Sequence, residues 1–391
     1  MLLVQSNKID ESYLDSLVRD ECPESDTLEF KAVPPGTSDN DKREFMKDVC
    51  ALANAGGGDI IYGIEERDGA ASQLKPITQE AQDALQRRLS QVLDTIDPRI
   101  TGIEFVHVPA SSGYVTVLRV PGSFDAPHSV RNGPWRRYVM RSGTTTSDLS
   151  MDQLRAVFGR TAALIDQARA FFDSRVLSIS SGKSWRPLVR APLAGVYVIP
   201  FAGLSGKLHI DLKALYNDYT RFLFSFHRWG NGMSRTMNLD GLVVHPGDTS
   251  REIAGYRLAH RNGALEAVQV IGGDVDGRVI INPMAATATY LDMVTNFLQI
   301  TVGLGMTGPA TIRCALFNAN GAEFSGGGQW SSEKYEGDRD LMILPELWVE
   351  DIASPGEIDL LMRSSIDVLW QAFGYECCTA YDAEGRFQPR R

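Results

Sequence analysis

The stretch PESDTLEFKAVPPG, residues 23–36, carries the side chains best able to do chemistry, Glu24, Glu29 and Lys31. If TLEFKAV is extended, alternation turns Leu28 and Phe30 to one face and Glu29 and Lys31 to the other, so a carboxylate and an amine share a surface. Glu24 stands five residues before Glu29, an odd spacing that keeps the two acids off one face of a straight strand. They converge only if Glu24 sits ahead of the strand, in a turn over 23–26, and folds back. Glu65 and Glu66, at the end of DIIYGIEE, are candidates for a third acid. Three carboxylates around one point bind a hard divalent cation such as Mg²⁺ or Mn²⁺. A lysine beside that point supports an attacking water or a developing charge, the arrangement metal-dependent nucleases use. Without the third acid, Glu29 and Lys31 are a surface pair contributing about a few tenths of a kcal/mol.

Local patterns predict the elements that hold these residues. A helix over 9–18 precedes the segment. Ser38, three residues before Asp41, starts a second helix with a capping-box pattern, and Phe45, Val49, Leu52 and Ala53 form its apolar stripe. The Gly56, Gly57, Gly58 run ends that helix with a left-handed glycine. DIIYGIEE then reads as one strand closed by a turn at Asp68 and Gly69. A helix over 78–95 stops before Pro98, with Leu85, Leu89 and Val92 aligned. Three extended segments follow, ITGIEFVHVP, YVTVLRVP and PWRRYVMRSG, the last after a turn at Asn132 and Gly133, and a long helix over 150–176 leads out. The result is an α+β unit with a mixed, mostly antiparallel sheet.

With 391 residues the chain exceeds one ordinary core, so two domains are expected, 1–177 and 188–391, joined by the polar stretch 178–187. The second is also α+β, with strands in AGVYVIPF, LDGLVVH, EAVQVIGG and ATIRCALF and helices in DLKALYNDYTRFLFSF, MAATATYLDMVTNFLQITVG and PGEIDLLMRSSIDVLWQAF. Phe222, Phe224, Phe226 and Trp229 read as core. Apolar content of 43% and charged content of 23% are those of a folded soluble chain, and no apolar run of membrane length or secretory leader is visible, so a cytoplasmic location is expected. The five cysteines are scattered, which fits a reducing compartment. No partner pair gives Cys377 and Cys378 zinc-ligand spacing, and Cys50 falls in the apolar stripe region of a helix, away from nucleophilic use.

A net charge of −10 argues against a protein that coats nucleic acid indiscriminately. Between residues 119 and 141, however, five arginines face one acid, Asp125. Arg131, Arg136, Arg137 and Arg141, interleaved with Trp135 and Tyr138, could grip a phosphate backbone and stack on bases. Alternation puts Trp135, Arg137 and Arg141 on one face and Arg136, Tyr138 and Met140 on the other, so only one set reaches a given ligand. The glycine run lacks the lysine and hydroxyl of a P-loop and precedes a strand, the reverse of a phosphate cradle.

The ordered motifs LEFK, ALANAGGG, IIYGIEE, a Pro-Arg-Ile and YVMRSGTTT, over about residues 12–158, resemble the Schlafen AlbA_2 family. In catalytic Schlafen proteins the pattern is a glutamate, a second glutamate five residues on, and an acid ending the glycine-strand segment. That resemblance implies Glu24, Glu29 and Glu66 as ligands of one or two Mg²⁺ or Mn²⁺ ions, with Lys31 stabilising charge at the scissile phosphate. The third position is usually aspartate in those nucleases, so Glu65 and Asp59 stand as alternatives to Glu66. The nucleic-acid contacts expected are Arg131, Trp135, Arg137 and Arg141. The implied function is an endoribonuclease acting on structured RNA such as tRNA, in an antiphage or stress setting. Because the Schlafen core joins two related lobes and this chain shows one, a homodimer is expected. Many relatives only bind or regulate, which leaves a DNA-binding transcriptional regulator with a C-terminal effector domain as the alternative.

Overall fold

The computed structural model describes residues 2, 8–132, 135–204, 210–222, 232–247, 251–306, 308–325 and 336–388. Gly133, His209, Phe224, Phe226, His227 and Trp229 lie outside the described residues. Two compact units form, Met1–Ala163 and Leu164–Arg391. The division falls within a long helix rather than at 178–187, because the helical pattern continues without a breaker through Ser180.

In the N-terminal unit the elements are α1 (Glu11–Arg19), β1 (Leu28–Lys31), α2 (Asp39–Ala55), β2 (Gly57–Tyr62), β3 (Ile64–Arg67), β4 (Ala70–Leu74), α3 (Gln82–Leu93), β5 (Glu104–Ala110), β6 (Gly113–Pro121), β7 (Ser129–Asn132), β8 (Trp135–Ser142), β9 (Thr145–Asp148) and the start of α4 (Met151–Ser180). A four-stranded sheet runs β1-β2-β6-β5, with β1 parallel to β2 and the other pairs antiparallel. Strands β3 and β4 form a hairpin, and β7, β8 and β9 a separate three-stranded ribbon.

Alternation divides the apolar residues between two cores. Leu28, Phe30 and Ile61 join Leu14 and Leu17 of α1. Ile60, Tyr62 and Leu118 join Phe45, Val49 and Leu52 of α2 and Leu85 and Leu89 of α3. Glu29 and Lys31 therefore point to the side covered by α2, Lys31 in register with Tyr62. The capping box at Ser38 and Asp41 forms, and Gly56 closes α2 at φ 112°, where only glycine is unstrained. The expected single strand DIIYGIEE is broken at Gly63, φ 104°: β2 stays in the main sheet and β3 enters the hairpin, moving Glu65 and Glu66 out of the sheet that holds Glu29.

Asn54 fixes α2 against the ribbon. Its Nδ2 donates to the carbonyls of His128 (3.0 Å) and Val139 (2.8 Å), and its Oδ1 accepts from His128 N–H (2.8 Å), all in the interior. Asn54→Ala leaves three buried backbone groups without that partner and is expected to cost about 2–3 kcal/mol, read from the urea midpoint of the full chain.

The C-terminal unit contains β10 (Leu193–Pro200), α5 (Phe201–Leu204), α6 (Leu212–Asn217), a 3₁₀ turn (Tyr219–Phe222), β11 (Met233–Met237), β12 (Gly241–Pro246), β13 (Gly255–His260), β14 (Leu265–Val270), β15 (Gly272–Val275), β16 (Arg278–Ile281), α7 (Pro283–Gly303), β17 (Ala310–Phe317), β18 (Glu323–Phe324), β19 (Leu341–Ile343), β20 (Leu347–Val349) and α8 (Ile358–Gln371). Its sheet runs β11-β12-β13-β14-β10-β17-β19, with β20 also on β17, and α7 lies against β10 and α8. The stretch DLKALYNDYTRFLFSF, expected as one helix, yields α6 and the 3₁₀ turn in its described part, because Asp218 ends α6. Phe222 is buried in the core, as its aromatic surroundings predict.

Candidate functional site

The site forms on and beside β1, the edge strand of the first sheet. Glu29 is almost fully buried, and its two oxygens meet two cations: Oε1 lies 2.5 Å from Lys31 Nζ and Oε2 2.5 Å from an Arg141 terminal nitrogen. Arg141, on β8, also donates from Nε to the Ser25 carbonyl (2.9 Å) and from its other terminal nitrogen to the Leu28 carbonyl (3.4 Å). It thereby clasps the chain on both sides of Thr27 and fixes the Glu29 carboxylate. Arg141 was expected on an open gripping face; the structure buries it, because Val139 and Arg141 are where that face of β8 turns inward.

Glu24 folds back from the turn ahead of β1, and its Oε1 accepts the Phe30 N–H at 2.8 Å. Its own N–H donates to the Gly69 carbonyl, and Gly69 N–H in turn donates to Glu66 Oε1 at 2.5 Å. The β3–β4 turn therefore brings Glu66 next to Glu24. Burial raises the Glu24 pKa, and the charges of Glu29 and Glu66 push it further, opposed by the Phe30 N–H and Arg141. The alternatives for the third acid are committed elsewhere. Glu65 pairs with Lys75 at 2.7 Å, which holds its carboxyl below the usual range. Asp59 is buried and accepts from Arg119 Nε (2.9 Å) and Leu2 N–H (2.5 Å).

The sequence reading missed Asp48, on α2. Its Oδ2 lies 3.8 Å from Lys31 Nζ. Burial, then the charge of Glu29, raises Asp48 to about 6, with Lys31 and Lys47 opposing. Burial lowers the Lys31 pKa, but Glu29 and Asp48 outweigh it and leave the amine raised and protonated. A cleft of about 570 Å³ opens over this group, lined among others by Glu29, Lys31, Asp48, Tyr62 and Arg141; Glu24 and Glu66 lie outside its lining.

The arginine segment is otherwise exposed. Trp135 is 75% exposed, Arg131 stands on the surface, Arg136 pairs with Asp97, and Arg137 makes a two-pronged pair with Asp148 at 3.1 Å. Cys50 is fully buried, which pushes its thiol up to about 12 and away from nucleophilic chemistry.

Glu24, Glu29 and Glu66 are oxygen donors of the chemical type that Mg²⁺ and Mn²⁺ take, and the charges of Glu29 and Glu66 both act on Glu24. Among the described residues no three acidic, histidine or cysteine side chains stand at metal-holding distance, and both Glu29 oxygens are paired with cations. Among those residues, too, no helix is long and apolar enough to cross a membrane.

Residues 24–150 match the family model described as Schlafen, AlbA_2. Two solved structures are similar over part of the chain. The DIP2311 protein from Corynebacterium diphtheriae is 15% identical at a TM-score of 0.27, over 38% of this chain and 28% of its own. The N-terminal domain of a RecG-related protein from Nitrosomonas europaea is 18% identical at a TM-score of 0.26, over 35% of this chain and 89% of its own. No curated protein matches the sequence.

Proposed function

We propose that the N-terminal unit is a divalent-metal-dependent endoribonuclease, acting on structured RNA such as tRNA through Glu24, Glu29, Glu66 and Lys31. One observation carries this reading: Glu24 folds back to accept the Phe30 N–H, between Glu29 and Lys31, and the Gly69 backbone links it to Glu66. Arg141 orients Glu29 from below. Lys31, half-exposed at the cleft, has donors beyond the one that Glu29 takes, and one of them can meet a phosphoryl oxygen as charge develops there. The three glutamates do not stand at metal-holding distance in this arrangement; Mg²⁺ or Mn²⁺ would have to draw them together on binding, and would then supply Lewis acidity at the phosphate. Trp135 and Arg131, on the exposed ribbon, suit stacking on unpaired bases and contact with the backbone.

A second reading, binding without cleavage in a DNA-binding regulator, is favoured by one feature, the engagement of both Glu29 oxygens by cations. Purified full-length protein incubated with tRNA and Mn²⁺ separates the two on a denaturing gel. Cleavage by the parent protein and none by Glu29→Ala is the expected result. Cleavage that survives Glu29→Ala removes this site from the chemistry. Retardation of DNA or RNA without cleavage in Mg²⁺ or Mn²⁺ supports the regulator.

A further inference from the structure

The cleft beside Lys31 has a composition that phosphate does not explain. Four acidic side chains line it against three basic ones. Its cations are already matched: Lys31 and Arg141 by Glu29, and Lys47 by Glu44 at 2.6 Å. Asp48 differs. It accepts no hydrogen bond among the described residues, its nearest cation being the Lys31 ammonium at 3.8 Å. A largely buried carboxylate with unused acceptor capacity, opening on a cleft, asks for a ligand with N–H donors. The lining also carries the apolar or aromatic side chains Val33, Pro34, Pro35, Phe45 and Tyr62, and about 570 Å³ is within the range of sites that hold a nucleotide-sized ligand.

We propose that this cleft takes an unstacked guanine base, Asp48 accepting from its N1–H and its exocyclic amine while Lys31 donates to the neighbouring O6. Among the four bases only guanine presents two adjacent donors beside an acceptor on its pairing edge, and single-stranded nucleic acid is read along that edge. The Lys31 ammonium has three donors, so it can hold Glu29 and O6 together. The inference rests on the nucleic-acid reading of the site and names its specificity: a guanosine next to the hydrolytic cluster.

Titration of the full-length protein with GMP, IMP and AMP in the absence of divalent metal, followed by NMR line broadening of each nucleotide, tests it apart from cleavage. IMP lacks only the exocyclic amine, and all three carry the same phosphate. GMP is expected to bind about five- to tenfold more tightly than IMP, the factor for one hydrogen bond, and more tightly still than AMP. The near-isosteric Asp48→Asn is expected to erase the difference. Equal binding of the three nucleotides, or no saturable binding, overturns the guanine site whatever the tRNA assay gives. GMP selectivity in a protein that cleaves nothing upholds it and overturns only the nuclease reading.

Discussion

Arg141→Met is expected to lower the stability of the N-terminal unit by about 3–5 kcal/mol, the penalty for leaving a buried charge without its partner. Glu29 is 6% exposed, and with Arg141 gone it keeps only Lys31, which is itself half in solvent. The carbonyls of Ser25 and Leu28 lose a donor in the same step, so the turn that returns Glu24 and the strand that carries Glu29 both loosen. Methionine fills much of the volume, so the loss reads the charge and hydrogen bonds rather than a cavity. Arg141→Lys should restore only part of it, because one ammonium cannot reproduce three contacts set by a planar fork. Urea unfolding of the full chain followed by circular dichroism measures both variants. A change below about 1 kcal/mol in Arg141→Met, the size of an exposed pair, would mean that Glu29 is held in place without this arginine.

The same arginine marks how far the sequence could be read. The parts fixed by local chemistry were legible: the Ser38 capping box, the left-handed Gly56, the alternation that puts Glu29 beside Lys31, and the return of Glu24 from its turn. What depends on tertiary packing was not. A run of four arginines around Trp135 reads as one basic surface, yet Arg141 is buried while Arg137 is exposed, because the ribbon passes over the edge of β1 partway along β8. Asp48 did leave a signal. It stands three residues after Phe45 and four before Leu52, within the buried stripe of α2, and a charge in that position needs a partner or a function. In the C-terminal unit, strands such as β10 are buried on both faces, so the period of two that identifies a half-buried strand is lost.

The C-terminal unit should unfold in acid for a reason that one residue supplies. Glu266, on β14, is fully buried, and it accepts from Arg175 Nε (2.7 Å) and a terminal nitrogen (3.2 Å), from the Tyr256 hydroxyl (2.5 Å) and from His260 Nε2 (3.1 Å). Burial alone would raise its pKa, but the hydrogen bonds and charges of His260 and Arg175 outweigh that and hold it at about 2. The folded value lies below the unfolded one, near 4.3, so the stabilisation is complete above the unfolded pKa and is lost as pH falls toward about 2. A shift of that size corresponds to about 3 kcal/mol at neutral pH. Glu266→Gln keeps the shape and can still accept from Tyr256, but it leaves the Arg175 guanidinium, largely buried, without its carboxylate. The expected cost is about 3–5 kcal/mol near neutral pH, shrinking as the parent protein loses its own advantage in acid. Urea midpoints measured at intervals from neutral pH to about pH 3 should therefore converge for the two proteins. Midpoints that fall in parallel would place the acid sensitivity on other carboxylates and leave Glu266 with a packing role alone.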